Sequence, residues 1–178
     1  QDSKAAGRWN LSAPHRGSLI AAGVQGGLTG FGAKLLIIDD PIKTREEAEN
    51  KDFRDKVVRA YQNVLSTRLH NDAVQICVMT RWHKGDLAGW LLENDKEFRY
   101  IRIPALAENK HDPVGRRPRK ALWPFRKNRK EILKQKELLG GYQFGSLYQG
   151  DPQAMAGKLF NRDHFQIIPR KDVPRGLD

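Results

Sequence analysis

One cysteine, Cys77, in 178 residues excludes an internal disulfide, so packing must hold the fold together and a reducing, intracellular setting suits the chain. The apolar runs, such as Leu35 to Ile38, are far shorter than the roughly 20 residues that span a bilayer, and no signal peptide is visible at the start. These absences exclude a membrane protein. Internal repeats and low-complexity tracts are missing as well. Negative charge is scarce: 21 Asp and Glu face 32 Lys and Arg, a net charge of +11. Such a balance favours polyanionic partners, because basic side chains displace the counterions condensed on phosphate backbones. The plainer alternative is a basic soluble enzyme whose charge aids solubility. Hydrophobic residues at 39% are enough for one sizeable core, so one domain with appendages is expected.

Along the chain, Trp9 to Leu11 and Ser18 to Val24 read as a hairpin. A glycine-rich connector, Gly26 to Gly32, leads into Leu35-Leu36-Ile37-Ile38, whose unbroken apolar character suits a strand buried on both faces of a parallel sheet. From Arg45 to Leu69 the pattern predicts one long amphipathic helix, with Phe53, Val57, Tyr61 and Leu65 at successive i+4 positions. Ala73 to Met79 returns to strand character, and a short helix follows around Asp86 to Leu92. This alternation implies right-handed crossovers and a parallel sheet. Beyond Phe98 the texture changes to a short strand, Tyr100 to Ile103, then prolines amid basic clusters. A helix from about Arg129 to Leu139 is expected to stop at Gly140-Gly141, and a last strand is expected at Phe165 to Ile168. The division expected is residues 1–100 as a sheet-bearing core and 101–178 as a smaller lid-like subdomain. Gln1 in place of Met, and an end at Asp178 without an element boundary, read as a piece of something longer.

The sharpest chemical signal is Leu35-Leu36-Ile37-Ile38-Asp39-Asp40, aliphatics that deliver two adjacent carboxylates to the carboxyl end of a strand, where ligands of open α/β sheets bind. In a P-loop ATPase the first acid holds the water shell of Mg²⁺ and the second orients the water that attacks the γ-phosphate. The competing reading is a pair of helix-capping aspartates before Pro41; spacing alone does not separate the two. No phosphate loop accompanies them. The one Gly-Lys pair, Gly157-Lys158, is followed by Leu159, and Pro152 stands where the leading glycine belongs.

Taken in order, Gly27-Leu28-Thr29-Gly30, LLIIDDPIKTREEAE, VMTRWHKGDLAGWLL, IRIPALAE, ALWP and YQFGSLYQGDPQAMAGKLF resemble the ordered blocks of tailed-phage terminase large subunits, from about Trp9 to Phe160. The resemblance implies an incomplete P-loop ATPase-type α/β fold with helices on both faces of a parallel sheet. It implies a motor that spends ATP, with Mg²⁺, to drive double-stranded viral DNA into a capsid in the host cytoplasm, from a phage or prophage gene. Asp39 and Asp40 become the Walker B element and metal ligands, with Asp40 as catalytic base, although Asp40 replaces the commoner Glu in that place. Thr80 joins the coupling motif that links hydrolysis to DNA movement. A portal protein, a small terminase subunit and further copies of the same chain are the partners implied. A phosphate loop upstream and a nuclease domain downstream are implied outside these residues, so the 178 residues alone are expected not to turn over ATP.

Other residues carry weaker signals. Arg81 reads as a phosphate or neighbouring-subunit contact, or as an ordinary exposed arginine. Trp82 reads as packing, and His83 with Asp86 as a cap or surface hydrogen bond in the absence of a third metal ligand. Arg116, Arg117, Arg119 and Lys120 read as a track for a DNA backbone or as a solvated face; duplex binding is expected to be weak, indifferent to sequence and steeply salt-dependent. Two rival functions stand beside the motor: a non-catalytic DNA-binding or assembly module, and a metal-dependent nuclease that needs Asp151 or Asp163 near Asp39 and Asp40. The ATPase reading places Asp39 and Thr80 at one edge of one sheet, with the Thr80 hydroxyl near a carboxylate. It also leaves the far edge of Val74 to Met79 to be covered by a rearranged segment or a second molecule.

Overall fold

The computed structural model describes residues 7–24, 26 and 30–152. Its centre is a parallel pair, β3 (Ala33–Asp39) and β4 (Leu69–Val78), preceded by a small antiparallel hairpin of β1 (Arg8–Asn10) and β2 (Ser18–Ile20), in which Trp9 faces Leu19. Between β3 and β4 the chain crosses over through α1 (Arg45–Glu49), α2 (Lys51–Ala60), a π-helical turn (Tyr61–Leu65) and a 3-10 turn (Ser66–Arg68). A crossover of this kind forces the two strands to run the same way. Leu35 pairs with Val74, Ile37 with Ile76 and Asp39 with Val78, so both carboxyl ends finish level.

The expected single helix from Arg45 to Leu69 is broken at Asn50, which leaves helical geometry (φ −75°, ψ 110°) and turns its side-chain oxygen to the Phe53 amide at 3.2 Å. An asparagine side chain offers the backbone a cap in place of another turn, which is why these residues are neutral or poor inside helices. The apolar stripe survives the break. Val57 and Tyr61 are buried, and Phe53 and Leu65 pack beside them against Ile38, Ile42, Leu87 and Leu91. Ile42 and Leu87 are almost fully enclosed, each worth about 1.5–3 kcal/mol relative to exposure.

Burial on both faces of β3 is not what the structure has. Ile38 and its neighbour Leu36 face the helices, whereas Leu35 and Ile37 are 54% and 56% exposed. Their partners Val74 and Ile76, and Val78 opposite Asp39, are open too, so one continuous apolar face of the pair is bare and helices cover the other face alone among the described residues. The outer edge of β4 is likewise uncovered among them. Tyr100 to Ile103, expected as a strand, runs beside that edge without pairing and leaves a cavity of about 860 Å³ between the two.

Helix α3 (Leu87–Asn94) begins at Asp86, whose carboxylate accepts the Gly89 amide at 2.9 Å and the His83 amide at 3.3 Å. Gly89 must be glycine, because a Cβ there would lie 1.8 Å from the Lys84 carbonyl oxygen. Helix α4 (Arg129–Gln149) carries a full capping box from Asn128 and Glu131; helical geometry is interrupted at the expected stop, Gly140 (φ 74°, ψ 164°), and a second helical stretch then continues to Gly150. Two apolar clusters result, the one around Ile38 and Leu87 and a second of Ala121, Ile132 and Phe144. No helix among the described residues is long and apolar enough to cross a membrane. The expected strand at Phe165 to Ile168, the pair Gly157-Lys158, Asp163 and residues 27–29 lie outside the described residues.

Asp86 is fully buried and charged, so its removal leaves the Arg81 guanidinium and two amides unanswered inside the protein. Asp86→Ala is expected to cost about 3 kcal/mol or more in urea denaturation; a loss below about 1 kcal/mol contradicts this account of the α3 start.

Candidate functional site

At the level ends of β3 and β4 the chain makes two reversals side by side. The Asp40 amide donates to the Val78 carbonyl at 3.0 Å, one step beyond the last paired residue Asp39. Asp40 itself takes a left-handed backbone (φ 38°), a conformation Asp and Asn tolerate better than most residues. That turn swings its carboxylate across to β4, where Oδ1 accepts the Thr80 amide at 2.8 Å. Thr80 is thus joined to the acid pair, through its main chain and not through the hydroxyl expected from sequence. The Asp39 carboxylate, exposed at the same edge, accepts no hydrogen bond among the described residues. Helix capping does not explain the pair: α1 is capped by Thr44, whose hydroxyl accepts the Glu47 amide at 3.2 Å.

The next residues are held inward. Arg81, rather than reaching out from the strand, gives its Nε to both oxygens of Asp86 at 2.9 and 3.0 Å, with its guanidinium near the Tyr100 ring. Trp82 packs against the first apolar cluster, in line with its sequence context. His83 accepts the Gly85 amide on Nδ1 at 2.9 Å; burial, then the nearby Arg54 charge, pushes its pKa below the ordinary value. Burial pushes the Cys77 thiol, on β4, up to about 11.

Sequence reasoning does not find Arg45. Its guanidinium lies 5.3 Å from the Trp82 ring centroid and 4.8 Å from that of Tyr142, and donates to the Trp82 carbonyl at 2.6 Å and to Glu49 at 3.3 Å. Tyr142, two residues past the Gly140 kink, donates its hydroxyl to Glu49 at 2.7 Å and thereby holds that carboxyl below the usual carboxylate range. The reversal after β4 is therefore strapped to the second half of α4 by contacts 37 and 97 residues apart in sequence.

Of the four basic residues expected to follow a DNA backbone, Arg116 is spoken for. It donates to Asp112 at 2.7 and 3.0 Å and to the Pro104 carbonyl at 2.7 Å, and its hydrogen bonds hold the Asp112 carboxyl below its ordinary pKa. Arg117, Arg119 and Lys120 are exposed. Asp151, a candidate third carboxylate, lies 3.9 Å from Arg102, and no group of three potential metal ligands occurs among the described residues.

The model of the T4likevirus-type terminase large subunit, N-terminal part, matches residues 5–167. The chain belongs to the terminase large subunit family. No curated protein and no solved structure matches it significantly. Membership gives this terminase chain a part in viral DNA packaging, with DNA and the packaging machinery as partners in general. The terminase blocks at LLIIDD and VMTRWH are the two that meet in space at the Asp40–Thr80 bond.

Because Asn keeps an acceptor oxygen and also tolerates a left-handed backbone, Asp40→Asn is expected to leave unfolding free energy within about 0.5 kcal/mol of the parent, whereas Asp40→Ala costs about 1 kcal/mol or more. Equal losses in urea melts of the two variants contradict a stabilising bond from the Thr80 amide to Asp40.

Proposed function

We propose that this terminase chain carries the metal- and water-handling half of an ATP-driven DNA-packaging engine. The observation that carries the reading is the acid pair at the level ends of two parallel strands, one carboxylate uncommitted and the other fastened to the start of the following segment. The two acids suit Mg²⁺, which typically takes one or two carboxylates and otherwise water and substrate phosphate. When bound, the ion supplies charge neutralisation across the phosphates. Asp39, free of protein partners among the described residues, is assigned to the ion's water shell. The second oxygen of Asp40, not taken by Thr80, is assigned to the attacking water.

The same bond offers a route for coupling. Any change in the charge facing Asp40 alters its hold on the Thr80 amide; Trp82, two residues on, is fastened to Arg45, which in turn donates to Glu49 and Tyr142. A change in charge at a bound nucleotide would by this route reach α4. The open outer edge of β4 fits the reading as well. The cavity between it and Tyr100 to Ile103 is lined by Ile76, Val78, Leu91 and Leu147, and by the buried Ser146 hydroxyl, which has no partner among the described residues. Its position is that of the strand that feeds a phosphate loop in ATPases of this type, a loop these 178 residues do not encode.

In a packaging-competent large subunit carrying these residues, Asp39→Ala and Asp40→Asn are each expected to lower DNA-dependent ATP turnover by about 100-fold or more, with duplex binding retained. Turnover within a few-fold of the parent overturns the assignment, and favours a chain that binds DNA without hydrolysing nucleotide.

A further inference from the structure

Between Pro113 and Lys130 the chain has eight basic residues and no acidic one. Within that stretch every residue from Leu122 to Lys130 is exposed, and two of them are aromatic: Trp123 at 59% and Phe125 at 97%. A phenylalanine so bare packs against nothing among the described residues. Nor is the turn loose, since Ala121 before it and Ile132 after it are buried in the second apolar cluster. The Leu122 amide donates to the Ala105 carbonyl at 2.8 Å, the amides of Arg126 and Lys127 both donate to the Trp123 carbonyl, and Pro124 stiffens the tip. Arg129 and Lys130 then stand in the first turn of α4, where the helix dipole disfavours cations. A local rule broken twice, beside two bare rings on an anchored turn, marks a surface shaped by a partner and not by folding.

That partner must offer negative charge and flat apolar faces together. We propose that the Trp123–Phe125 turn is a nucleic-acid contact at which unpaired or terminal bases stack on the rings while the surrounding cations take the phosphates. An intact duplex hides its base faces, so the preferred ligand is single-stranded or frayed DNA or RNA, a specificity distinct from duplex movement and independent of the role assigned to Asp39 and Asp40. An anionic lipid surface shares the charge but fits less well. The Arg126 guanidinium lies over the Trp123 ring, 5.8 Å from its centroid, and burying that ring in hydrocarbon drags the charge in with it.

The test uses the 178-residue chain and three probes: oligothymidylate, an abasic oligonucleotide of equal length, and phosphatidylserine vesicles. Oligothymidylate is expected to bind about tenfold tighter than the abasic strand, and Phe125→Ala to remove most of that difference while leaving abasic binding and the melting temperature unchanged. Oligothymidylate is also expected to quench tryptophan emission in the parent chain, and to do so less in Trp123→Phe, which keeps a ring in place. Equal affinity for the two oligonucleotides overturns the proposal, as does vesicle binding that is the stronger interaction and depends on Phe125.

Discussion

A parallel pair of strands brings two loops to the same edge, and the hydrogen bond from the Thr80 amide to the Asp40 carboxylate fastens those loops to each other. Its geometry depends on the left-handed backbone at Asp40, on the level ending of β3 and β4, and on a crossover long enough to make them parallel. Everything proposed for the site follows from it. Among the described residues Asp39 is left without a hydrogen bond because Asp40 is the residue that turns across, and the segment from Thr80 to His83 takes its starting point from the Asp40 carboxylate, not from a passive turn.

From that point the chain is held by charges turned inward. Arg81 closes on the buried Asp86, which also starts α3; Arg45 lies between the Trp82 and Tyr142 rings; Arg116 ties Asp112 to the carbonyls of Pro104 and Ala105. A basic chain thus spends several arginines on structure before any are available to a polyanion. Arg117, Arg119, Arg126 and Arg129 remain outward beside the second apolar cluster, and Arg16, Arg59 and Arg99 are exposed elsewhere.

What sequence reveals of this fold is what local periodicity encodes. The run Leu35 to Ile38, the acids after it and the i+4 stripe from Phe53 to Leu65 are local patterns, and the parallel pairing and buried stripe follow from them. The break at Asn50 is hidden because the apolar pattern continues on both sides of it, whereas Gly140 interrupts helical geometry where a stop is legible and only the second helical stretch after it is not. Four aliphatics in a row look alike whether one or both faces are covered, so the bare face of Leu35 and Ile37 has no signature. Arg81 and Arg116 look available in sequence, yet Asp86 and Asp112, each within five residues, claim them. The Arg45–Tyr142 contact spans 97 residues and has no local signal at all.

The central claim is that Asp39 and Asp40 form a divalent-cation site at the shared end of β3 and β4. Amide spectra of the 178-residue chain during a Mn²⁺ titration test it directly, because the paramagnetic ion broadens the signals of the residues nearest to it. The account predicts selective broadening of Asp39, Asp40, Met79 and Thr80 that disappears in Asp39→Asn. Broadening centred instead on Glu93 and Asp151, or spread evenly over exposed carboxylates and unchanged by Asp39→Asn, contradicts it.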